Sequence, residues 1–162
     1  MSTLSVDTIQ GKTTAGTVAM PTGSLMQVVQ THVTANTTTS SSSMVSTGLE
    51  VTITPKFSTS KVLLTGNVSA IYSNGATKYA KFELWKGSSF HAYIHALASY
   101  LQSEIAYNTD ISFSYLDSPS TTSATTYKLM WNQNNSGVMW FNNYGSSNNT
   151  TRSTITAYEI AG

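Results

Sequence analysis

Apolar and polar residues alternate along most of the chain from residue 24 onward. The segment Leu49–Thr54 alternates strictly and ends at Pro55, and Tyr127, Leu129 and Trp131 repeat the same period of two. This period is typical of strands with one buried face. About eight such segments, separated by turn residues at spacings of roughly 8–12 residues, predict an all-β fold: an antiparallel β-sandwich, specifically a jelly roll.

Two stretches fit this pattern less well. The Thr- and Ser-rich residues 37–43 predict a loop, and residues 96–106 allow a helix as an alternative because Leu97 and Leu101 are spaced by four. In the preceding segment, strict alternation places His91, Tyr93 and His95 on one face of a strand and Phe90 on the other.

The first 23 residues read as a separate, extended N-terminal segment. Its sizeable apolar residues are too few to form a core, so they must pack on the chain's own domain or on a partner; they are Leu4, Val6, Ile9, Val18 and Met20. We therefore divide the chain into an attachment segment, 1–23, and a head domain, 24–162.

Composition narrows the class of protein. Charged residues make up 9% of the chain and the formal net charge is +1, so no basic surface for nucleic acid or anionic lipid is indicated. Ser, Thr and Asn number 25, 26 and 11, which gives a neutral, hydroxyl-rich surface. Cysteine is absent, and no signal peptide or membrane-spanning run of apolar residues is visible. These features fit a protein assembled in a host cytoplasm and released by lysis, or one secreted without a signal.

No catalytic or metal site stands out, and no cofactor is predicted. A glycosidase needs two facing carboxylates, and among the seven acidic residues only Glu83 and Glu104 are candidates for a cross-strand pair. His91 and His95 are four apart, which on a strand separates them by about 13 Å at ~3.3 Å per residue. One ion cannot bridge that distance, although several chains could place these histidines around a symmetry axis.

One cluster of aromatic and amide side chains is a candidate for ligand contact. Its members, with aromatic faces beside amides as in sites for neutral sugars, are Trp140, Phe141, Asn142, Asn143 and Tyr144. Because consecutive strand residues face opposite sides, Trp140 and Phe141 cannot both enter one core. The alternative interpretation is a core residue, an interface residue and an Asn-rich turn.

Several segments carry large apolar residues on both faces, for example Phe90 and Ile94 against Tyr93 and Leu97. A sandwich with one solvated face shows cleaner alternation. A homo-oligomeric interface is the simplest cover for a second apolar face.

Three stretches resemble a family of phage virion proteins known from phages of aquatic bacteria. They are Ser-Thr-Leu-Ser-Val-Asp-Thr-Ile-Gln-Gly-Lys-Thr-Thr-Ala-Gly-Thr-Val-Ala-Met-Pro (2–21), Tyr-Leu-Asp-Ser-Pro-Ser-Thr-Thr-Ser-Ala-Thr-Thr-Tyr-Lys (115–128) and Ser-Thr-Ile-Thr-Ala-Tyr-Glu-Ile-Ala (153–161). Together they cover about a quarter of the chain. The resemblance implies a tail-fibre-like or particle-surface protein with a trimeric jelly-roll head and no catalytic residues.

The sequence therefore predicts a non-enzymatic bacteriophage virion protein, a trimer on the virion surface. Residues 1–23 would bind other virion proteins, and the head would contact a host surface glycan, with no nucleic acid partner and no membrane insertion. The absence of a shaft between anchor and head favours a short appendage over a long fibre. A capsid decoration, or cement, protein is the alternative, and a particle-associated polysaccharide-degrading enzyme is a third possibility.

Overall fold

The computed structural model describes residues 20–74, 78–99, 107–133, 138–143 and 151–162. All regular structure in these ranges is β. The strands are β1 (Leu25–Val33), β2 (Thr37–Thr39), β3 (Val45–Ile53), β4 (Lys61–Asn74), β5 (Lys78–Lys86), β6 (Ser89–Ser99), β7 (Tyr107–Asp117), β8 (Thr125–Gln133), β9 (Val138–Phe141) and β10 (Ser153–Ile160).

The strands form two antiparallel sheets. In sheet A, β4 is central: Thr65 pairs with Thr156 of β10 on one edge and with Ser114 of β7 on the other, which gives the order β1-β10-β4-β7. The short strands β9 and β2 continue this sheet, since β9 pairs with the end of β4 and β2 pairs with β9. Sheet B has the order β3-β8-β5-β6. Long strands alternate between the sheets along most of the chain, as in a jelly roll, which confirms the predicted fold class.

The core fills the space between the two sheets. In β3 every second residue is buried from Thr47 to Ile53, as the alternating sequence predicts. At the centre, the ring of Trp131 lies 6.0 Å from that of Phe82 and 5.8 Å from that of Phe141, measured between centroids. Trp131 and Phe82 lie on sheet B and Phe141 on sheet A, so these three rings join the two sheets.

One local prediction was wrong, and one alternative does not hold where the structure describes it. Residues Thr37–Thr39, predicted as loop, form β2 and pair with Phe141, Trp140 and Met139 of β9. The helix considered for 96–106 does not form over its first residues, because β6 continues to Ser99 and pairs with β5 as far as Lys78. The rest of that stretch lies outside the described residues. In both places pairing with a neighbouring strand decides the conformation.

Strand β6 also departs from strict alternation. Leu84 of β5 pairs with Ala92, but the next β5 residue, Trp85, pairs with Phe90, so His91 is an extra residue in β6. Such a β-bulge redirects side chains. Phe90 and Tyr93, predicted on opposite faces, both lie on the outer face of sheet B, and His91 turns toward the core edge.

A tight turn precedes β1. Ser24 N donates to Pro21 O at 3.0 Å, and Gly23 has a φ of +88°, the conformation that a type II turn requires at this position. Gly23 N also donates to Ala161 O at 2.7 Å, so the residues on both sides of the predicted boundary at 23/24 are fixed to the C-terminal end.

Of the predicted attachment residues, only Met20 falls in the described ranges; Leu4, Val6, Ile9 and Val18 lie outside them. Met20 is exposed and lines a shallow pocket of about 180 Å³ with Phe57, Thr59, Ala161 and Gly162.

Candidate functional site

The structure separates the aromatic and amide residues that the sequence groups at 140–144. Phe141 is fully buried against Trp131, whereas Trp140, the residue before it, is half-buried and projects from the other face of β9. The prediction that these two residues cannot share one core is therefore confirmed. Tyr144 lies outside the described residues.

Asn142 has a structural role. Its Nδ2 donates to Val33 O at 2.9 Å and to Ala35 O at 3.2 Å, and its Oδ1 accepts a hydrogen bond from Ser153 Oγ at 2.5 Å. Its φ of +58° is left-handed, a conformation that Asn tolerates better than most residues. Asn142 thus links β9, β10 and the end of β1, and like Phe141 and Asn143 it is buried and offers no surface to a glycan in this structure.

Among the described residues, the densest group of ionisable side chains surrounds Asp117, where the edge strands of the two sheets meet. Tyr127 donates its hydroxyl hydrogen to Asp117 Oδ2 at 2.6 Å, and Lys86 Nζ lies 3.1 Å from the same oxygen. His91 Nε2 lies 3.1 Å from Oδ1 but outside hydrogen-bond geometry. The ring of His91 packs edge-on against Tyr115. These contacts join β7 of sheet A to β5, β6 and β8 of sheet B.

The electrostatics of Asp117 suit a structural carboxylate. Burial by itself would raise its pKa, but the hydrogen bonds from Tyr127 and Lys86, together with the charges of Lys86 and His91, lower the pKa below the ordinary value. Burial and the neighbouring carboxylate raise the pKa of Tyr127, which keeps its hydroxyl protonated as a donor. A general acid or base works best with a pKa near the operating pH, and Asp117 is shifted away from it.

Glu159 is a second structural carboxylate. It is fully buried and accepts hydrogen bonds from Ser60 Oγ at 2.6 Å, Lys56 N at 2.7 Å and Gln27 Nε2 at 2.5 Å. Burial would raise its pKa, but these donors lower it below the ordinary value. Glu159 therefore fixes the loop between β3 and β4 against β10 and β1.

The outer face of sheet B carries a cluster of aromatic side chains around a carboxylate. Cross-strand pairing places Trp85 beside Phe90 and Glu83 beside Tyr93. Phe90 is 48% and Tyr93 69% exposed, and their ring centroids are 4.8 Å apart with planes tilted by 55°. Glu83 lies among them and accepts a hydrogen bond from Trp85 Nε1 at 2.8 Å. We call these four residues the aromatic cluster.

The outer face of sheet A carries a row of apolar residues, one from each of its four long strands. Val28 pairs with Tyr158, Tyr158 with Leu63, and Leu63 with Leu116. The two ends are half-exposed, Val28 at 50% and Leu116 at 51%. The next row outward along the strands is polar and consists of Gln30, Thr156, Thr65 and Ser114. We call the first four residues the apolar row.

Sequence reasoning missed these groups for identifiable reasons. Asp117 is one of seven acidic residues in the sequence, and nothing in the linear pattern places it beside Lys86 and Tyr127. The apolar row depends on strand order and register, which bring together four residues distant in sequence. The aromatic cluster depends on the bulge at His91. The signal present in the sequence was coarser: large apolar residues on both faces of several strands.

The part of the chain that the structure describes contains no group of three or more acidic or histidine side chains placed to hold a metal ion. It also includes no helix of the length and hydropathy needed to cross a bilayer.

No protein-family model matches this chain, and no curated protein matches it. Among solved structures, similar ones include infectious bursal disease virus strain Gx (TM-score 0.42, 10% identity, 100% of this chain and 43% of that chain). The VP2 subviral particle of the same virus matches with a TM-score of 0.43 and 10% identity over 84% of this chain and 38% of that chain. Strain Gt matches with a TM-score of 0.43 and 11% identity over 100% of this chain and 43% of that chain. The chain spans less than half the length of these proteins, and similarity at this level establishes neither a family nor a function.

Proposed function

We propose that this protein is a non-enzymatic component of a bacteriophage virion surface that assembles as a homotrimer and contacts the host surface. The observation that carries the proposal is the apolar row of sheet A. A continuous apolar row across four long strands, with polar residues along one side, is the kind of surface that a partner covers.

A second copy of the chain is the proposed partner for the apolar row. Closed symmetric self-association is the common arrangement of soluble oligomers. Leu25, 57% exposed, pairs with Ile160 next to the row and widens the apolar area. Sheet A is therefore the proposed subunit interface, which leaves the opposite face of the sandwich for other contacts.

Native mass spectrometry at micromolar concentration tests the oligomer. We expect a trimer for the wild type and a monomer for Leu116→Glu, because a charge at the end of the apolar row would be buried without a partner. Thr52→Glu is the control: it adds the same charge to an exposed position on the outer face of sheet B, away from the proposed interface, and should remain a trimer. A wild-type monomer, or a Leu116→Glu trimer, would contradict the proposed interface.

Location on the particle is tested separately, by gold-labelled antibody against the head domain and electron microscopy. Label on intact particles is expected, and removal of residues 1–23 should prevent incorporation while the head still folds. Label at the tail supports host contact, whereas label over the whole capsid favours the decoration protein. Particles without label would refute a virion role.

The absence of enzymatic activity is part of the proposal. Asp117 and Glu159 are occupied by protein donors and have lowered pKa values, which does not suit acid–base catalysis near neutral pH. Glu104, considered as a partner for Glu83, lies outside the described residues. Incubation with purified host polysaccharide should release no oligosaccharides, and release of such products would contradict this part.

A further inference from the structure

We propose that the aromatic cluster on the outer face of sheet B is a binding site for a neutral hexopyranose unit of a glycan. The inference deepens the proposed host contact and rests on it only for the source of the glycan. The site is Trp85, Phe90, Tyr93 and Glu83, which differs from the 140–144 cluster that the sequence suggests.

The aromatic rings provide the apolar part of the site. A pyranose has one face made largely of C–H groups, and this face packs against aromatic rings. Phe90 and Tyr93 meet at 55° with their centroids 4.8 Å apart, so together they present a shallow angled surface rather than a flat one. Both are attached to a β-strand that is paired along its length with β5, which holds them in place before a ligand arrives.

Glu83 provides the polar part. It projects from the outer face of β5 yet is only 8% exposed, and its cross-strand neighbours are Tyr93 of β6 and Met130 of β8. Among the described residues its carboxylate has one hydrogen-bond donor, the indole Nε1 of Trp85 at 2.8 Å. A carboxylate can accept several hydrogen bonds, and bonds to a charged acceptor are stronger than neutral ones. Sugar hydroxyl groups are donors of the kind this carboxylate lacks.

The same carboxylate argues against a second copy of the chain as the occupant. An apolar protein surface placed over Phe90 and Tyr93 would cover the remaining exposed part of Glu83 without supplying donors, which is costly. A hydroxyl-bearing ligand covers the rings and supplies donors together. The apolar row of sheet A contains no ionisable acid or base other than the phenol of Tyr158, so it suits a protein partner better.

Charge on this face favours a neutral sugar over an acidic one. Lys128 pairs with Glu50 on one side and with Trp85 on the other, and Lys81 lies two residues before Glu83. The charges of these two lysines and two glutamates thus cancel, and the acidic residue nearest to the aromatic rings is Glu83. A uronic or sialic acid would place its carboxylate near Glu83 and would be repelled.

The test is a printed array of oligosaccharides ending in neutral hexoses, N-acetylhexosamines, and uronic or sialic acids, followed by calorimetry with the best neutral binder. The full chain is used. We expect neutral glycans to bind and acidic ones not to bind. Tyr93→Ala and Phe90→Ala should each weaken binding by about tenfold through loss of ring contact. Glu83→Gln should weaken it by about tenfold through loss of a charged acceptor.

Two controls separate recognition from folding. Tyr93→Phe keeps the ring and should bind within about threefold of wild type, since only a hydroxyl is lost. Glu50→Gln removes an exposed acid beyond Lys128 and should change affinity by less than about twofold. Because the side chains of Phe90 and Tyr93 are 48% and 69% exposed, we expect their variants to have the same Tm as the wild type.

Several results would overturn the inference: no neutral glycan bound by the wild type, binding that Tyr93→Ala leaves unchanged, or a preference for acidic glycans. If Tyr93→Ala instead dissociates the oligomer, the cluster is a subunit contact and the inference is refuted. A negative array leaves the particle labelling and the effect of Leu116→Glu intact, so failure of this inference is distinguishable from failure of the proposed function.

Discussion

Removal of one buried hydroxyl group tests the structural role of the Asp117 cluster. In Tyr127→Phe the ring stays in the core and only the oxygen that donates to Asp117 at 2.6 Å is lost. A hydrogen bond to a charged group contributes about 1.5–3 kcal/mol, and Asp117 keeps Lys86 and His91 as neighbours, so we expect a loss of that size. For a domain of this length that corresponds to a fall in Tm of roughly 3–12 °C.

The assay is urea unfolding at pH 7, monitored by tryptophan fluorescence. All variants are measured at one fixed protein concentration, because assembly adds to apparent stability. Tyr115→Phe is the matched control. Tyr115 lies beside the same histidine, but among the described residues its hydroxyl makes no side-chain hydrogen bond, so its loss should cost less than about 0.5 kcal/mol. A double-mutant cycle of Tyr127→Phe and Asp117→Asn should give a coupling free energy between the two residues of about 1 kcal/mol or more.

The pH dependence gives an independent check with a definite sign. The pKa of Asp117 is lowered in the folded state, so its contribution is complete above its unfolded value of about 4 and is lost as the pH falls through the folded value. Tyr127→Phe removes one cause of the lowering. The deficit of this variant relative to wild type should therefore be largest near pH 7 and shrink below about pH 4. A variant within about 0.5 kcal/mol of wild type at pH 7 would refute the reasoning.

Three further changes address other parts of the fold, each measured by the same unfolding assay. Gly66→Ala places a methyl group against the ring of Phe113, its cross-strand partner, and should cost about 1–3 kcal/mol; an unchanged midpoint would show that the ring moves freely. Glu159→Gln replaces the acceptor of Ser60 and should cost about 2–4 kcal/mol, while Glu50→Gln, at an exposed position, should change little. Asn142→Ala removes two hydrogen bonds to backbone carbonyl groups and places Ala in a left-handed conformation, so the free energy of unfolding should fall by about 2–4 kcal/mol. A variant as stable as the wild type would count against the structural role of Asn142.

Much of the fold could be predicted from the sequence because strand period and burial are local properties. Leu49, Val51 and Ile53 repeat every second position, and all three are buried in the core. The same rule separates Trp140 from Phe141 without knowledge of any other strand. The sequence also has large apolar residues at both parities of some strands, although it does not show which sheet face each of them occupies.

The candidate sites, by contrast, depend on pairing between distant strands. An extra residue at His91 shifts the register of β6 by one, and a shift of one residue exchanges the faces of a strand. This bulge, one of two register shifts in β6, brings Phe90 and Tyr93 together outside and directs His91 to Asp117. The alternation in sequence contains no mark of the bulge, because a bulge is defined by the partner strand. The sequence by itself thus determined most of the strands and the alternating apolar residues of the core, while tertiary pairing decided which side chains meet and which polar residues are buried.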